Sequence, residues 1–128
     1  MELDQIKATT RRVQQGAWVK DLPDLPGIAV KVRSYRNADF KRNLAEVRAE
    51  YKPEELLTKE VQDKIQARLL LDTILLDWSG IDEAPYSREM AETLLNDPEF
   101  ESFRQAVDYA AGIVAIHGQE QLEADIKN

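Results

Sequence analysis

Residues 16–35, which read GAWVKDLPDLPGIAVKVRSY, predict a β-hairpin. The first arm, residues 16–19, contains the aromatic and β-branched side chains that strands favour. The second arm alternates apolar and polar residues from Val30 on, so we expect Ile28, Val30 and Val32 on one buried face. The prolines and the glycine between the two arms are typical of a turn.

The stretch before the hairpin, residues 3–13, has only a weak pattern. It is compatible with a third strand beside the hairpin or with a frayed chain end. The sequence leaves both alternatives open.

Helical signals dominate after residue 36. Four residues have the side chains that begin helices as N-caps, and each precedes apolar residues at helical spacing: Asn37, Thr58, Ser87 and Asp97. Pro98 at the first helical position and Glu99 behind it strengthen the last of these signals. We therefore expect four helices.

The helix from Thr58 is expected to be the central one. Residues 69–78 are apolar on nearly every side, which is typical of a helix with neighbours all around it. Gly80 is expected to end this helix in a left-handed conformation, with Ile81 packed back on Leu76 in a Schellman motif. Trp78 is then a core residue.

These patterns predict an α+β protein that is mostly α-helical, with about four helices and an N-terminal β-hairpin or small antiparallel sheet. A chain of 128 residues has the length of one domain. We divide residues 1–128 into a hairpin region (1–36), a helical region (37–118) and a C-terminal tail (119–128).

The composition excludes several classes of protein. The chain is 43% hydrophobic and 32% charged, which is unlike a disordered or collagenous sequence. It has no cysteine, so disulfide frameworks and thiolate metal sites are excluded. Its longest apolar run is far too short to cross a bilayer. We expect a soluble cytoplasmic protein with no membrane partner.

The charge is unevenly distributed. Residues 1–52 contain 11 Lys and Arg against 7 Asp and Glu, a net charge of +4, whereas residues 53–128 contain 6 against 17, a net charge of −11. The two halves either attract each other within one monomer or allow copies to associate head to tail. Nucleic-acid binding is disfavoured, because the basic residues around Lys31, Arg33 and Arg36 are the only cationic cluster.

Catalytic signals are missing. His117 is the single histidine, so a Ser-His-Asp triad would have one possible base, at a predicted helix end. The sequence has no phosphate-binding glycine loop, no dinucleotide fingerprint and no His/Cys metal spacing. We therefore expect no enzyme, cofactor or metal, although a cation site made of carboxylates alone remains open.

Several segments together resemble the tail assembly chaperones of long-tailed bacteriophages over about residues 16 to 117. The similar segments are Gly16-Ala17-Trp18-Val19, Leu22-Pro23, Leu25-Pro26-Gly27, Val32-Arg33-Ser34, Asn37-Ala38-Asp39-Phe40, Leu75-Leu76-Asp77-Trp78-Ser79-Gly80-Ile81, Pro85-Tyr86-Ser87, Leu94-Leu95 and Asp97-Pro98. These motifs are caps, turns and core residues, so they specify a fold more strongly than an activity.

The resemblance implies a small, non-enzymatic α+β chaperone. Such a protein binds the tape measure protein, keeps it soluble, and recruits tail tube subunits, commonly through a longer form made by ribosomal frameshifting. It works in the host cytoplasm and is absent from the mature virion. The alternative is a structural tail-completion or head-tail connector protein of the virion.

Three groups of side chains are candidates for protein binding. Trp18, Leu22 and Leu25 lie around the proline-rich turn, and tryptophan is enriched at interface hot spots. Lys31, Arg33 and Arg36 form the basic cluster, which could meet the acidic half of another copy. Phe103 and Val107 belong to the apolar stripe of the last predicted helix, which could pack on a helical partner.

Overall fold

The computed structural model of this protein describes residues 2–116, which contain five α-helices and a three-stranded antiparallel sheet. In chain order the elements are α1 (Leu3–Gln15), β1 (Ala17–Val19), β2 (Ala29–Val32), α2 (Ala38–Arg48), α3 (Lys59–Leu69), β3 (Leu75–Ser79), α4 (Arg88–Asn96) and α5 (Glu101–Ile113). Short 3₁₀ turns at Glu55–Leu57 and Pro98–Phe100 precede α3 and α5, and a π-helical turn at Leu70–Ile74 joins α3 to β3. The α+β class is confirmed, with one helix more than expected.

The predicted hairpin forms and becomes part of a larger sheet. β1 and β2 pair antiparallel, and β3 pairs antiparallel with the other edge of β2, giving the order β1-β2-β3. Val30 lies opposite Val19 on one side and Trp78 on the other. All three of these side chains are buried, so this face of the sheet supplies part of the core.

The core lies between this sheet face and the C-terminal helices. Val32 and Val30 are fully buried, as are Leu70 and Val107, and all belong to one apolar cluster. Trp78 stands edge-on to Phe103 at a centroid distance of 5.4 Å. Its indole Nε1 donates to the backbone oxygen of Ala84 at 2.7 Å, which satisfies the polar atom of a buried ring. The prediction that Trp78 is a core residue is confirmed.

Residues 3–15 form the helix α1, so neither alternative considered for residues 3–13 is correct. The Gln5 side chain accepts a hydrogen bond from the backbone N of Glu2 at 2.9 Å, and Asp4 lies in the first turn. Both features stabilise a helix start. The acid-x-x-Gln spacing at Glu2 was the signal that could have identified α1.

The prediction of one long central helix is wrong in its second half. The chain leaves the α-helical conformation at the π-helical turn Leu70–Ile74, and Leu75–Ser79 forms β3. A short run that is apolar on every side fits a buried strand as well as a buried helix, and here pairing with β2 decides. Gly80 does have a positive φ of 95°, but it follows a strand and ends no helix.

The predicted helix starts are confirmed. Asn37, Thr58 and Ser87 each accept a hydrogen bond from the backbone N–H three residues later, at 2.8, 3.3 and 3.0 Å. Asp97 accepts from the backbone N of Glu99 at 2.9 Å and caps a 3₁₀ turn, so α5 begins later than expected, at Glu101. His117, Gly118 and the tail 119–128 lie outside the described residues.

Candidate protein-binding groove

A groove of about 610 Å³ lies between α2, α3 and the turn Glu55–Leu57. It exists because α2 and α3 share a small apolar cluster of their own, separate from the main core, in which Val47, Ile65 and Leu69 are buried. This second cluster holds the two helices together, and its residues Ile65 and Leu69 also form part of the groove wall.

Apolar side chains form much of the groove. Phe40 and Leu44 line it from α2, Leu56 from the turn, and Ile65 and Leu69 from α3. The first three are half-buried, whereas Ile65 and Leu69 are only 8% and 3% exposed. The groove therefore offers apolar surface that this chain only partly covers.

Polar and charged side chains complete the lining. Arg48 contributes from the last turn of α2, and Gln62, Asp63 and Gln66 contribute from α3. Arg48 and Gln62 are exposed. This arrangement of apolar and charged groups resembles the core and rim of a protein interface.

Tyr35 lines the same groove from the segment between β2 and α2. Its ring stands edge-on to Phe40 at a centroid distance of 4.8 Å, and its hydroxyl donates a short hydrogen bond to Oδ1 of Asp108 on α5. Burial raises the pKa of the Tyr35 phenol well above its usual range, and the Asp108 carboxylate raises that pKa further. The phenol therefore stays protonated and acts as a donor.

A second depression of about 280 Å³ lies on the other side of α3, towards α4 and α5. Asp63 lines both cavities and pairs with Lys59 at 3.1 Å and with Arg104 at 3.6 Å. Arg104 also pairs with Glu101 at 3.3 Å. Acids and bases alternate here, so this depression has no dominant charge.

Three of the residues predicted to bind partners lie in the core. Leu22 and Phe103 are each 5% exposed, and Val107 is fully buried. The apolar stripe of α5 packs on the sheet, as for Phe103 against Trp78, so a partner could reach it only if the core opened. The groove between α2 and α3, by contrast, contains apolar surface that a partner can reach.

Of the other predicted residues, Trp18 and Lys31 lie on the outer face of the sheet, opposite the buried Val30 and Val32. Trp18 is directly opposite Lys31, and both are half-buried. Leu25 packs against the core, whereas Arg36 is exposed. The structure thus brings Trp18 and Lys31 together, away from Phe103 and Val107.

Arg33 has clear structural contacts. Its Nε donates to the backbone oxygen of Gln14 at 2.6 Å, and its Nη1 lies 2.8 Å from Oδ2 of Asp39. The Arg33 side chain is 16% exposed. It therefore links the end of α1 to the first turn of α2.

Sequence reasoning did not predict the groove, because apolar spacing shows which residues share a face of a helix but not how far that face is covered. The signal that could have indicated partial burial was the interval between the helices, residues 49–58, where polar residues surround Leu56 and Leu57. Leu57 is in fact 81% exposed.

Residues 2–116 contain no group of three or more His, Cys, Asp or Glu side chains arranged to hold a metal ion. In the same range we find no helix with the length and apolar character needed to cross a membrane.

The comparison with protein families gives one assignment. The model of the family described as YdaY prophage protein matches residues 32–128. The chain belongs to the YdaY prophage protein family. No curated protein and no solved structure matches it.

Membership of the YdaY prophage protein family indicates a phage-derived protein. The match begins at the last residue of β2 and includes α2 and α3, so both helices of the groove lie in the part of the chain that the family model describes. α1 and β1 lie before it.

Proposed function

We propose that this YdaY-family protein is a tail assembly chaperone that binds the tape measure protein in the groove between α2 and α3. The observation that carries the proposal is the groove itself, with half-buried Phe40 and Leu44 beside exposed Arg48 and Gln62. A phage origin and the resemblance of the sequence to tail assembly chaperones support the choice of client.

The groove suits a helical segment with a stripe of apolar residues. In helix-in-groove recognition, apolar residues three and four apart fill a depression between two helices, while charged residues at the rim set the orientation. The groove volume of about 610 Å³ is comparable with that of a small-molecule pocket. The groove can therefore accommodate several apolar side chains of a client. Exposed Arg48 favours a client with an acidic residue beside its apolar stripe.

The direct test is coexpression with a fragment of the tape measure protein from the same prophage. The fragment is expected to be insoluble alone and soluble with this protein, and to copurify with it. Leu44→Asp places a carboxylate in the groove and should reduce the copurified fragment at least tenfold. Ala45→Asp makes the same charge change at an exposed position of α2 and should leave copurification within about twofold.

Two results would contradict the proposal. One is a fragment that stays insoluble on coexpression, and the other is equal copurification by Leu44→Asp and Ala45→Asp when both variants are folded by circular dichroism. The structural alternative is a tail-completion or head-tail connector protein, which would be present in mature virions. Mass spectrometry of purified virions distinguishes the two, because the proposed chaperone is absent from mature particles.

The resemblance to tail assembly chaperones also supports the expected location and partners of the protein. The protein acts in the host cytoplasm by binding, without catalysis or a cofactor, and contacts the tail tube protein mainly through a longer frameshifted form.

Complementary charges in residues 1–52 and 53–128 favour self-association. Sedimentation should then show oligomers at low salt that dissociate in 1 M salt, where the Debye length is about 3 Å.

A further inference from the structure

Helix α1 is poorly covered by the rest of the described chain. Val13 is the one buried residue among its thirteen, while Leu3 is 77% and Ile6 is 49% exposed. A helix of this length is marginally stable in water unless its apolar face packs against something. The rest of residues 2–116 therefore leaves much of Leu3 and Ile6 uncovered.

The uncovered apolar face continues the covered one. Ile6 and Thr9 precede Val13 by seven and four residues, a spacing that puts all three on one side of the helix. At Val13 this side is buried, at Thr9 it is half-buried, and at Ile6 it is exposed. Coverage thus decreases from Val13 to Ile6, which lies about 10 Å further along the helix axis at a rise of about 1.5 Å per residue.

The chain leaves α5 beside the covered end of α1. Nη2 of Arg12 donates to the backbone oxygen of Ala115 at 2.8 Å, and Val114 and Ala115 are buried. The next residue, Ile116, is 66% exposed. The chain therefore continues from a point near Arg12, at the covered end of α1.

We propose that residues 117–128 pack on the uncovered face of α1 in the same molecule. Leu122 and Ile126 are four residues apart, which is the spacing of side chains on one face of a helix. In this arrangement they can cover Leu3 and Ile6. The charges also match, since the segment carries acids at positions 120, 123 and 125, and α1 carries exposed bases at positions 7 and 11. Twelve residues are ample for a gap of about 10 Å.

Hydrogen exchange of the full chain tests this packing. Amides of residues 6–11 should exchange at least tenfold faster when residues 117–128 are removed, because α1 then loses its partner. Leu122→Asp keeps the chain length and should produce the same change, whereas Gln121→Asp introduces the same charge one residue earlier and should change exchange less than twofold. Unchanged exchange in the truncated chain and in Leu122→Asp would overturn the proposal.

Cross-linking decides whether the contact lies within one molecule. The chain has no cysteine, so Ile6→Cys combined with Leu122→Cys provides a single pair of thiols for a short bismaleimide. We expect a cross-linked monomer, and much less of it when Leu57→Cys, on the exposed turn before α3, replaces Ile6→Cys. If only cross-linked dimers form, the proposal is overturned in favour of a contact with a second copy. Equal monomer yields from the two cysteine pairs would also overturn it, because residue 122 would then show no preference for α1.

Discussion

The Asn37 side chain donates a hydrogen bond from Nδ2 to the backbone oxygen of Thr73 at 3.0 Å, and so ties the start of α2 to the turn before β3. Nδ2 also donates to the backbone oxygen of Ser34 at 2.7 Å, and Oδ1 accepts from the backbone N of Phe40 at 2.8 Å. Asn37 is fully buried. One amide thus caps a helix and fixes the point where the chain changes from helix to strand.

Replacing Asn37 with alanine should lower the free energy of unfolding by about 2–4 kcal/mol. Loss of the cap costs about 1 kcal/mol, and leaving the buried Thr73 oxygen without its donor costs about 1–3 kcal/mol more. Urea unfolding measures this loss. Thr58→Ala removes only a cap at an exposed position and should cost about 0.5–2 kcal/mol. Equal losses in the two variants would show that the bond to Thr73 contributes nothing.

Gly80 should tolerate no side chain. Its φ is +95°, and a Cβ built there would lie 2.2 Å from the backbone oxygen of Gly27. Gly27 has a similar φ of +82°, but a Cβ there meets nothing within 4 Å. Gly27→Ala should therefore cost about 1–2 kcal/mol through backbone strain alone, whereas Gly80→Ala should cost several times as much or prevent folding. Thermal unfolding compares them, and similar melting temperatures would contradict the clash.

Local signals identified four helix starts, although the one at Glu2 was missed, whereas the assignment of residues 75–79 failed because a distant contact decides it. Each cap at Asn37, Thr58 and Ser87 accepts a hydrogen bond from a backbone N–H only three residues later. The local sequence therefore identifies these helix starts. Residues 75–79 form a strand because β2, more than 40 residues earlier, pairs with them. No local pattern carries that information, and the same segment was predicted as helix.

Asp39 should make stability depend on pH under acidic conditions. Hydrogen bonds from Arg33 and then Arg42 hold the pKa of its carboxyl below the usual value of 3.8. A pKa that is lower in the folded state contributes stability that is present above pH 3.8 and is lost as the pH falls through the folded value. The stability difference between the natural protein and Asp39→Asn should therefore shrink between pH 5 and pH 2.

Chemical unfolding of both proteins across this pH range measures the difference. Asp39 is exposed to solvent, with a side-chain accessibility of 41%, so 1 M salt should also reduce the difference by screening the pairs. A difference that stays constant with pH would show that the two arginines do not stabilise the carboxylate.

The groove was less predictable than the fold. Sequence periodicity showed that Phe40, Leu44 and Val47 share a side of α2, but it could not show how deeply each is covered. Val47 is 3% exposed, whereas Phe40 and Leu44 are half-buried. That distinction depends on the angle and spacing of α2 and α3, which arise from tertiary packing around Ile65 and Leu69.

Tyr35→Phe should destabilise the protein at neutral pH and change its response to alkali. The substitution removes a hydrogen bond to the half-buried Asp108 carboxylate, a contact to a charged group that contributes about 1.5–3 kcal/mol. Because burial and Asp108 raise the pKa of the folded phenol above the unfolded value of 10.0, this stability is fully present below pH 10 and is lost as the pH rises beyond it. The variant has no phenol to titrate at this position, so the difference in unfolding free energy between the two proteins should narrow above pH 10.

Tyr109→Phe is the control, because this position is 43% exposed. Its stability should stay within about 0.5 kcal/mol of the natural protein at neutral pH. A gap for Tyr35→Phe that stays constant from pH 8 to pH 11 would show that the phenol is not held protonated by the fold.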